Sequence, residues 1–324
     1  LTQTLLPSLW WRLSLEEVAR LAPVQTLDWS VARDCGLDIA VKREDLLHPQ
    51  LGGNKFYKLA GHLERFRESG MRRLLSFGGA FSNHLYALAA AAHDLGVTSV
   101  GIIRGEQPER LSPTLQDAAD LGMKLVFISR EEYRNKTDPA WLAELQQRFP
   151  DAYVIPEGGG DITGSRGCMA LATGAVAASP WQPDVICVAT GTGGTAAGVL
   201  AAGVGEQVCA FLVLKGSTAE TFDMQRGILT RACALARKER GDLPALLLET
   251  NYSCGGYARF PDELRCFMAE FEAETGVPLD PVYTAKLFWG IAHKARAGHW
   301  RPGTRILVLH SGGLQGRRGY PELR

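Results

Sequence analysis

Compact apolar blocks alternate along this chain with longer stretches in which apolar residues recur at helical spacing. The blocks Leu37–Val41, Leu74–Phe77, Thr98–Ile103, Lys124–Ile128, Tyr153–Ile155, Val185–Ala189, Cys209–Leu214, Leu246–Leu248 and Arg305–His310 read as strands. Phe56, Leu59, Leu63 and Phe66 mark one face of a helix over Phe56–Glu68. Further helices are predicted from Ser82-Asn83 to about Leu95, over Pro113–Leu121 and Pro139–Phe149, and after Gly158-Gly159-Gly160 through Ala178. Thr195–Ala202, Asp262–Thr275 and Ala285–Ala297 complete the helical set. Strand and helix alternate throughout, which predicts an α/β fold with open, mostly parallel twisted sheets flanked by helices. No internal repeat or low-complexity tract interrupts the alternation.

One stretch departs from this rhythm. Residues 185–205 carry no charge over a length that could span a bilayer. Six glycines and three threonines break it, so it reads as strand, glycine loop and small-residue helix, with no membrane partner expected. The first twelve residues hold Pro7 in their apolar start and no cation before Arg12, which is not a signal-peptide pattern. At 324 residues the chain has room for two domains. A hydrophobic share of 46% is ordinary for a globular protein and excludes disorder. The 35 basic and 35 acidic side chains balance, leaving no cationic excess to neutralise a nucleic-acid backbone. The seven cysteines have no metal or redox spacing and fit reduced thiols in a cytoplasmic protein; no metal is expected.

Four loops after strands are glycine-rich: 52–55, 78–83, 191–195 and 311–313. Ligands of open α/β sheets bind where such loops leave the carboxyl ends of strands, so four on one fold suggest a shared ligand. Gly191-Thr192-Gly193-Gly194-Thr195 puts backbone N–H groups and two hydroxyls at a helix start, an arrangement that suits a phosphate. A dinucleotide fingerprint would need an acid at the end of the next strand, but Lys215-Gly216 stands there. No Gly-Lys-Ser/Thr follows, which excludes a Walker loop. Only nine lysines occur against 26 arginines, and two of them, Lys55 and Lys58, flank the first turn of the helix behind Gly52-Gly53-Asn54. A desolvated lysine beside another cation has a lowered pKa and serves as an amine nucleophile. A phosphate cup, a carbonyl-reactive lysine and a Ser-Asn helix start together suggest pyridoxal phosphate.

The ordered set Gly52-Gly53-Asn54-Lys55-x-x-Lys58, Gly78-Gly79-x-x-Ser82-Asn83-His84, Thr192-Gly193-Gly194-Thr195, Pro281-Val282-Tyr283-Thr284 and His310-Ser311-Gly312-Gly313 resembles the 1-aminocyclopropane-1-carboxylate deaminase / D-cysteine desulfhydrase family. The resemblance runs from about residue 5 to 313. It implies a pyridoxal 5'-phosphate enzyme with the tryptophan-synthase β-subunit fold (fold type II). A large domain would comprise residues 1–56 and 168–324, with a small one at 57–167. Lys55 would carry the cofactor and move protons at the substrate's α-carbon; Asn83 would bond the phenolic oxygen, and Lys58 with Thr192, Gly193, Gly194 and Thr195 the phosphate. Ser82 and Asn83 would receive the substrate carboxylate, beside Phe81, with Tyr257 and Tyr283 facing the substrate.

Reaction type turns on two positions in this resemblance. Deaminases of the family have Glu where Thr284 stands, against the pyridine nitrogen; desulfhydrase-like members have Thr there and a hydroxyl residue where Ser311 stands. A neutral hydroxyl gives a weaker electron sink, which suits β-elimination of a good leaving group better than opening a cyclopropane ring. The expectation is therefore D-cysteine desulfhydrase-like β-elimination, with cyclopropane deamination or cysteate cleavage as alternatives and a non-catalytic homologue as a remote one. Phe81 replaces a family Gln, Tyr57 an Arg, and Gly160-Asp161 a Ser-Asn, which bears on the substrate more than on the cofactor. The expected partners are a small amino acid and a second copy in a homodimer. Trp10-Trp11 would serve packing or the subunit contact, and Glu157 its own loop.

Overall fold

A computed structural model describes residues 10–323, so the reading of the first nine lies outside the described residues. Ten strands occur among the described residues. They are β1 (Val24–Thr26), β2 (Asp38–Arg43), β3 (Arg73–Gly78), β4 (Thr98–Arg104), β5 (Met123–Ile128), β6 (Ala152–Val154), β7 (Val185–Thr190), β8 (Gln207–Leu212), β9 (Ala245–Glu249) and β10 (Arg305–His310). They form a six-stranded sheet ordered β1-β2-β10-β7-β8-β9 and a four-stranded sheet ordered β5-β4-β3-β6. Only β1 is antiparallel to its neighbour; every other pair is parallel. All six residues of β7 are buried, as a central parallel strand with both faces covered requires.

Strand order positions the site. In the large sheet β10 lies between β2 and β7, with Leu307 beside both Ala40 and Ile186. The chain therefore leaves the carboxyl ends of three adjacent strands into three of the glycine loops: 44–53 after β2, 191–193 after β7 and 311–313 after β10. The small sheet contributes the fourth, between β3 and the helix Asn83–Asp94. The uncharged stretch resolves as β7, loop and the fully buried helix Gly194–Ala201. No helix among the described residues is long and apolar enough to cross a membrane.

Helix Ile162–Ala177 packs between Asn54–Ser69 and Gly194–Ala201. Small residues allow this approach: a side chain at Gly167 would run into the backbone carbonyl of Tyr57. Tyr57 itself is fully buried, its hydroxyl donating to Glu44. Trp10 is buried edge-on against Phe56 and donates from its indole to Asp94, so its packing role lies within this chain. The predicted strands and helices all occur, most with ends shifted by one or two residues. The helix behind Gly-Gly starts at Asn54 rather than Phe56, which brings Lys55 into its first turn. The pattern did not predict Leu15–Leu21, Ser30–Asp34, Arg130–Arg134, the short β1 or the long helix Thr218–Ala236.

Candidate active site

Gly53 is where the lysine loop turns. Its φ of 72° is left-handed, and a side chain there would meet the Ser311 carbonyl, so glycine alone lets the loops after β2 and β10 touch. The next residue, Asn54, ties three loops together. Its N–H donates to the Ser311 carbonyl (3.3 Å), its Nδ2 to Thr195 Oγ1 (2.8 Å), and its Oδ1 accepts from Lys55 Nζ (2.7 Å). Lys55 Nζ is thereby held 5.6 Å from the Tyr283 ring centroid. Burial, then the neighbouring Lys58, lowers the Lys55 pKa to about 7.

Lys58 is buried, and burial lowers its pKa too; its Nζ donates to the Gly158 carbonyl (3.1 Å). The same ammonium is 3.3 Å from where a Cβ on Gly194 would sit, so it faces the 191–195 loop directly. Gly194 and Thr195 open a helix whose first-turn N–H groups have no intrahelical acceptors, with Gly193 as N-cap. Thr192 is exposed at the rim, and its carbonyl accepts from Arg231 Nη2 (3.1 Å). Lys58, Arg231 and the first-turn N–H groups of this helix thus border the glycine loop, with Asp161 acting electrostatically on both cations. The buried hydroxyl of Thr190 and the buried Nδ1 of His84 also lack partners among the described residues. This donor-rich set fits a phosphorylated aldehyde whose carbonyl reaches Lys55.

Ser82 caps the helix Asn83–Asp94, its Oγ accepting from Leu85 N (3.3 Å). Asn83 Oδ1 accepts from Gln315 Nε2 (3.0 Å). His84 is neutral, since burial lowers its pKa well below the usual histidine value, and its Nε2 is 2.9 Å from Ser76 Oγ. Lys55, Asn83, Ser311, Gly312 and Gly313 share the wall of a cavity of about 330 Å³. The Ser311 hydroxyl makes no hydrogen bond among the described residues. Thr284, by contrast, is fully buried and hydrogen-bonds the Asp280 carboxylate (3.1 Å) and Asp280 N (2.7 Å). Tyr257 and Tyr283 meet edge to face, with ring centroids 6.2 Å apart. Burial, then Tyr257, raises the Tyr283 phenol pKa, so it stays neutral at physiological pH. Phe81 is 36% exposed, with its ring edge 2.8 Å from where a Cβ on Gly319 would sit, towards the C-terminal segment. Glu157 accepts from Tyr133 (2.8 Å) and pairs with Lys136 (3.5 Å).

Three functional groups escaped the sequence reading. Arg231 comes from the unpredicted helix Thr218–Ala236, whose start is a Ser217–Glu220 capping box that could have announced it. Asp280 is buried and accepts the N–H groups of Val282, Tyr283 and Thr284, fixing where Tyr283 emerges; an Asp just before a helix start was the available signal. The cross-loop bonds of Asn54 depend on tertiary contact and leave no trace in the sequence.

An α/β chain of two largely parallel sheets, with a half-buried lysine beside a glycine loop at a helix start, is a pyridoxal-phosphate enzyme of fold type II. Residues 19–312 match the family described as pyridoxal-phosphate dependent enzyme, and the chain belongs to it. Within that class it belongs with the 1-aminocyclopropane-1-carboxylate deaminases and D-cysteine desulfhydrases. A Klebsiella pneumoniae protein named D-cysteine desulfhydrase is 30% identical over 92% of this chain and 93% of its own. A Pyrococcus horikoshii protein provisionally named a 1-aminocyclopropane-1-carboxylate deaminase is 29% identical over 93% of this chain and 91% of its own. A solved structure of an ACC deaminase homologue superposes with a TM-score of 0.76 at 28% identity, covering 91% of this chain and 90% of that one.

Proposed function

We propose that this chain is a lyase of D-cysteine desulfhydrase type, removing a β-substituent from a small amino acid. With D-cysteine the products would be pyruvate, ammonia and sulfide, the water entering when the released enamine hydrolyses. Pyridoxal phosphate, when bound, supplies the electron sink for a carbanion at the substrate's α-carbon. The residues of the chain do the rest. Lys55, largely uncharged above pH 7, would hold the cofactor through its aldehyde carbon and, once the substrate amine has taken that place, would take the α-proton. Lys58 (which lies against Gly194), the 192–195 backbone and Arg231 (which bonds the Thr192 carbonyl) would hold the phosphate, and the helix start at Ser82-Asn83 would hold the substrate carboxylate. Asn83 takes the phenolic oxygen, while Tyr257 and Tyr283 close over the side-chain end of the substrate.

The observation that carries the reading is the hydroxyl of Ser311 on the cavity wall beside Lys55, with no carboxylate at 284. A hydroxyl serves either protonation state of a pyridine nitrogen without forcing the charged one. Thr284 is the second candidate for that place, though its hydroxyl is engaged with Asp280. The purified holoenzyme is expected to form pyruvate from D-cysteine or β-chloro-D-alanine and to act poorly on 1-aminocyclopropane-1-carboxylate. Efficient release of 2-oxobutanoate from the cyclopropane substrate would reverse the assignment in favour of the deaminase. Ser311→Ala should retain the cofactor through its phosphate but slow elimination about tenfold, about 1.4 kcal/mol. An unchanged rate in that variant, with loss in Thr284→Val, would move the nitrogen contact to Thr284.

The same reading takes residues 57–167, which contain the four-stranded sheet, as the small domain, and the rest as the large one. It takes the chain to work as a cytoplasmic homodimer. Seven free cysteines support the reducing compartment. Size-exclusion chromatography with light scattering tests the dimer.

A further inference from the structure

Arg104 ends β4, one strand over from the strand that delivers the Gly78–Asn83 loop. Its Nη2 is 3.5 Å from where a Cβ on Gly79 would sit, so the guanidinium runs alongside the substrate loop. Beneath it is the Tyr133 ring, with the guanidinium carbon 5.8 Å from the centroid. Arg104 has no carboxylate partner among the described residues. Glu157 is occupied by Tyr133 and Lys136. Arg104 and Glu157 both act electrostatically on the phenol of Tyr257, whose ring meets that of Tyr283 edge to face. The aromatic platform, the absence of a side chain at Gly79 and the position at the carboxyl edge of β4 set Arg104 apart from a solvated surface arginine.

We infer that Arg104 is a specificity-determining residue that binds an anionic group on the side chain of the amino-acid substrate, such as a β-carboxylate or β-sulfonate. This rests on the reading of the cleft as an amino-acid site. With the α-carboxylate held at Ser82-Asn83, a second anion on the β-carbon would be received by a planar fork of donors, the geometry that suits carboxylate and sulfonate oxygens. The guanidinium is exposed to solvent, so the preference it confers should shrink as salt is added.

Aspartate and asparagine differ little in shape and by one charge, which makes them the probe. Each enantiomer is titrated into the holoenzyme and followed by the change in cofactor absorbance. Aspartate of one enantiomer is expected to bind about ten- to a hundredfold tighter than the matching asparagine. Arg104→Gln should abolish that preference, and Arg104→Lys should restore part of it. Equal affinities in the wild type, no binding of aspartate, or a preference that survives Arg104→Gln would each overturn the inference. So would an equal weakening of both ligands, which would mean that Arg104 serves the loop or the α-carboxylate. Elimination from β-chloro-D-alanine, measured on the same preparation, reports on the lyase reading separately.

Discussion

Lys55→Ala is expected to leave a folded protein that borohydride no longer joins covalently to its cofactor. Its residual elimination should fall by roughly 10²–10⁴-fold, the usual worth of a positioned proton-transfer group. The expectation follows from two features acting together. Asn54 Oδ1 and the Tyr283 ring fix where the amine points, and burial beside Lys58 lowers its pKa to about 7. The sign of the pH effect is set by which form reacts. The uncharged amine is the nucleophile and base, so attachment of added cofactor to the apoenzyme should speed up as pH rises through about 7 and then level off. Lys58→Ala should keep the covalent attachment but retain the cofactor less well. If borohydride fixes cofactor in Lys55→Ala and fails to do so in Lys58→Ala, the two lysines have exchanged roles.

How much of this was legible beforehand depends on whether a residue's task is local. Strands such as β7 and β10 announce themselves because parallel strands buried on both faces are apolar throughout most of their length. The glycine loops are equally visible, since a left-handed turn such as Gly53 excludes other residues. Helix Thr218–Ala236 fails the same test for a physical reason. Its stripe of Met224, Ile228, Ala232 and Leu235 is diluted by Gly227 and charged side chains, only Ile228 and Ala232 are fully covered, and Phe222 is 65% exposed, so the apolar signal is weak. Arg231 and its bond to the Thr192 carbonyl vanish with it. Resemblance supplied the chemistry of Ser311 and Thr284, but not their surroundings. The engagement of the Thr284 hydroxyl with Asp280 comes from a buried capping network that only the folded chain assembles.

At pH 8, where the Glu44 carboxylate is charged, Glu44→Ala is expected to destabilise the protein by about 3–5 kcal/mol, the usual cost of leaving one member of a buried ion pair alone. Glu44 and Lys42 are both fully buried, 3.6 Å apart, with Tyr57 donating to both carboxyl oxygens at 3.1 Å. Lys42 also donates to the carbonyls of Ala19 and Ala22, which softens its loss of a counter-charge without replacing it. The damage should reach the site, because the Glu44 carbonyl accepts the N–H of Gly53 (3.0 Å) and so tethers the lysine loop. Burial, opposed by Lys42 and Tyr57, raises the Glu44 pKa to about 7. The folded state therefore holds a proton that the unfolded chain releases near pH 4.5, and this group's contribution to stability falls as pH rises from there to about 7. Glu44→Gln keeps an acceptor for Tyr57 and removes the titration, so it should flatten that part of the stability profile. Replacing both charges, as Lys42→Met with Glu44→Leu, should recover most of the loss, since a well-packed apolar pair avoids the desolvation that the ions incur. Urea denaturation of the three variants between pH 5 and 8 decides the matter. A midpoint for Glu44→Ala equal to the wild type would show that Lys42 is satisfied by its two carbonyls alone, and that the lysine loop keeps its place without the carboxylate beneath it.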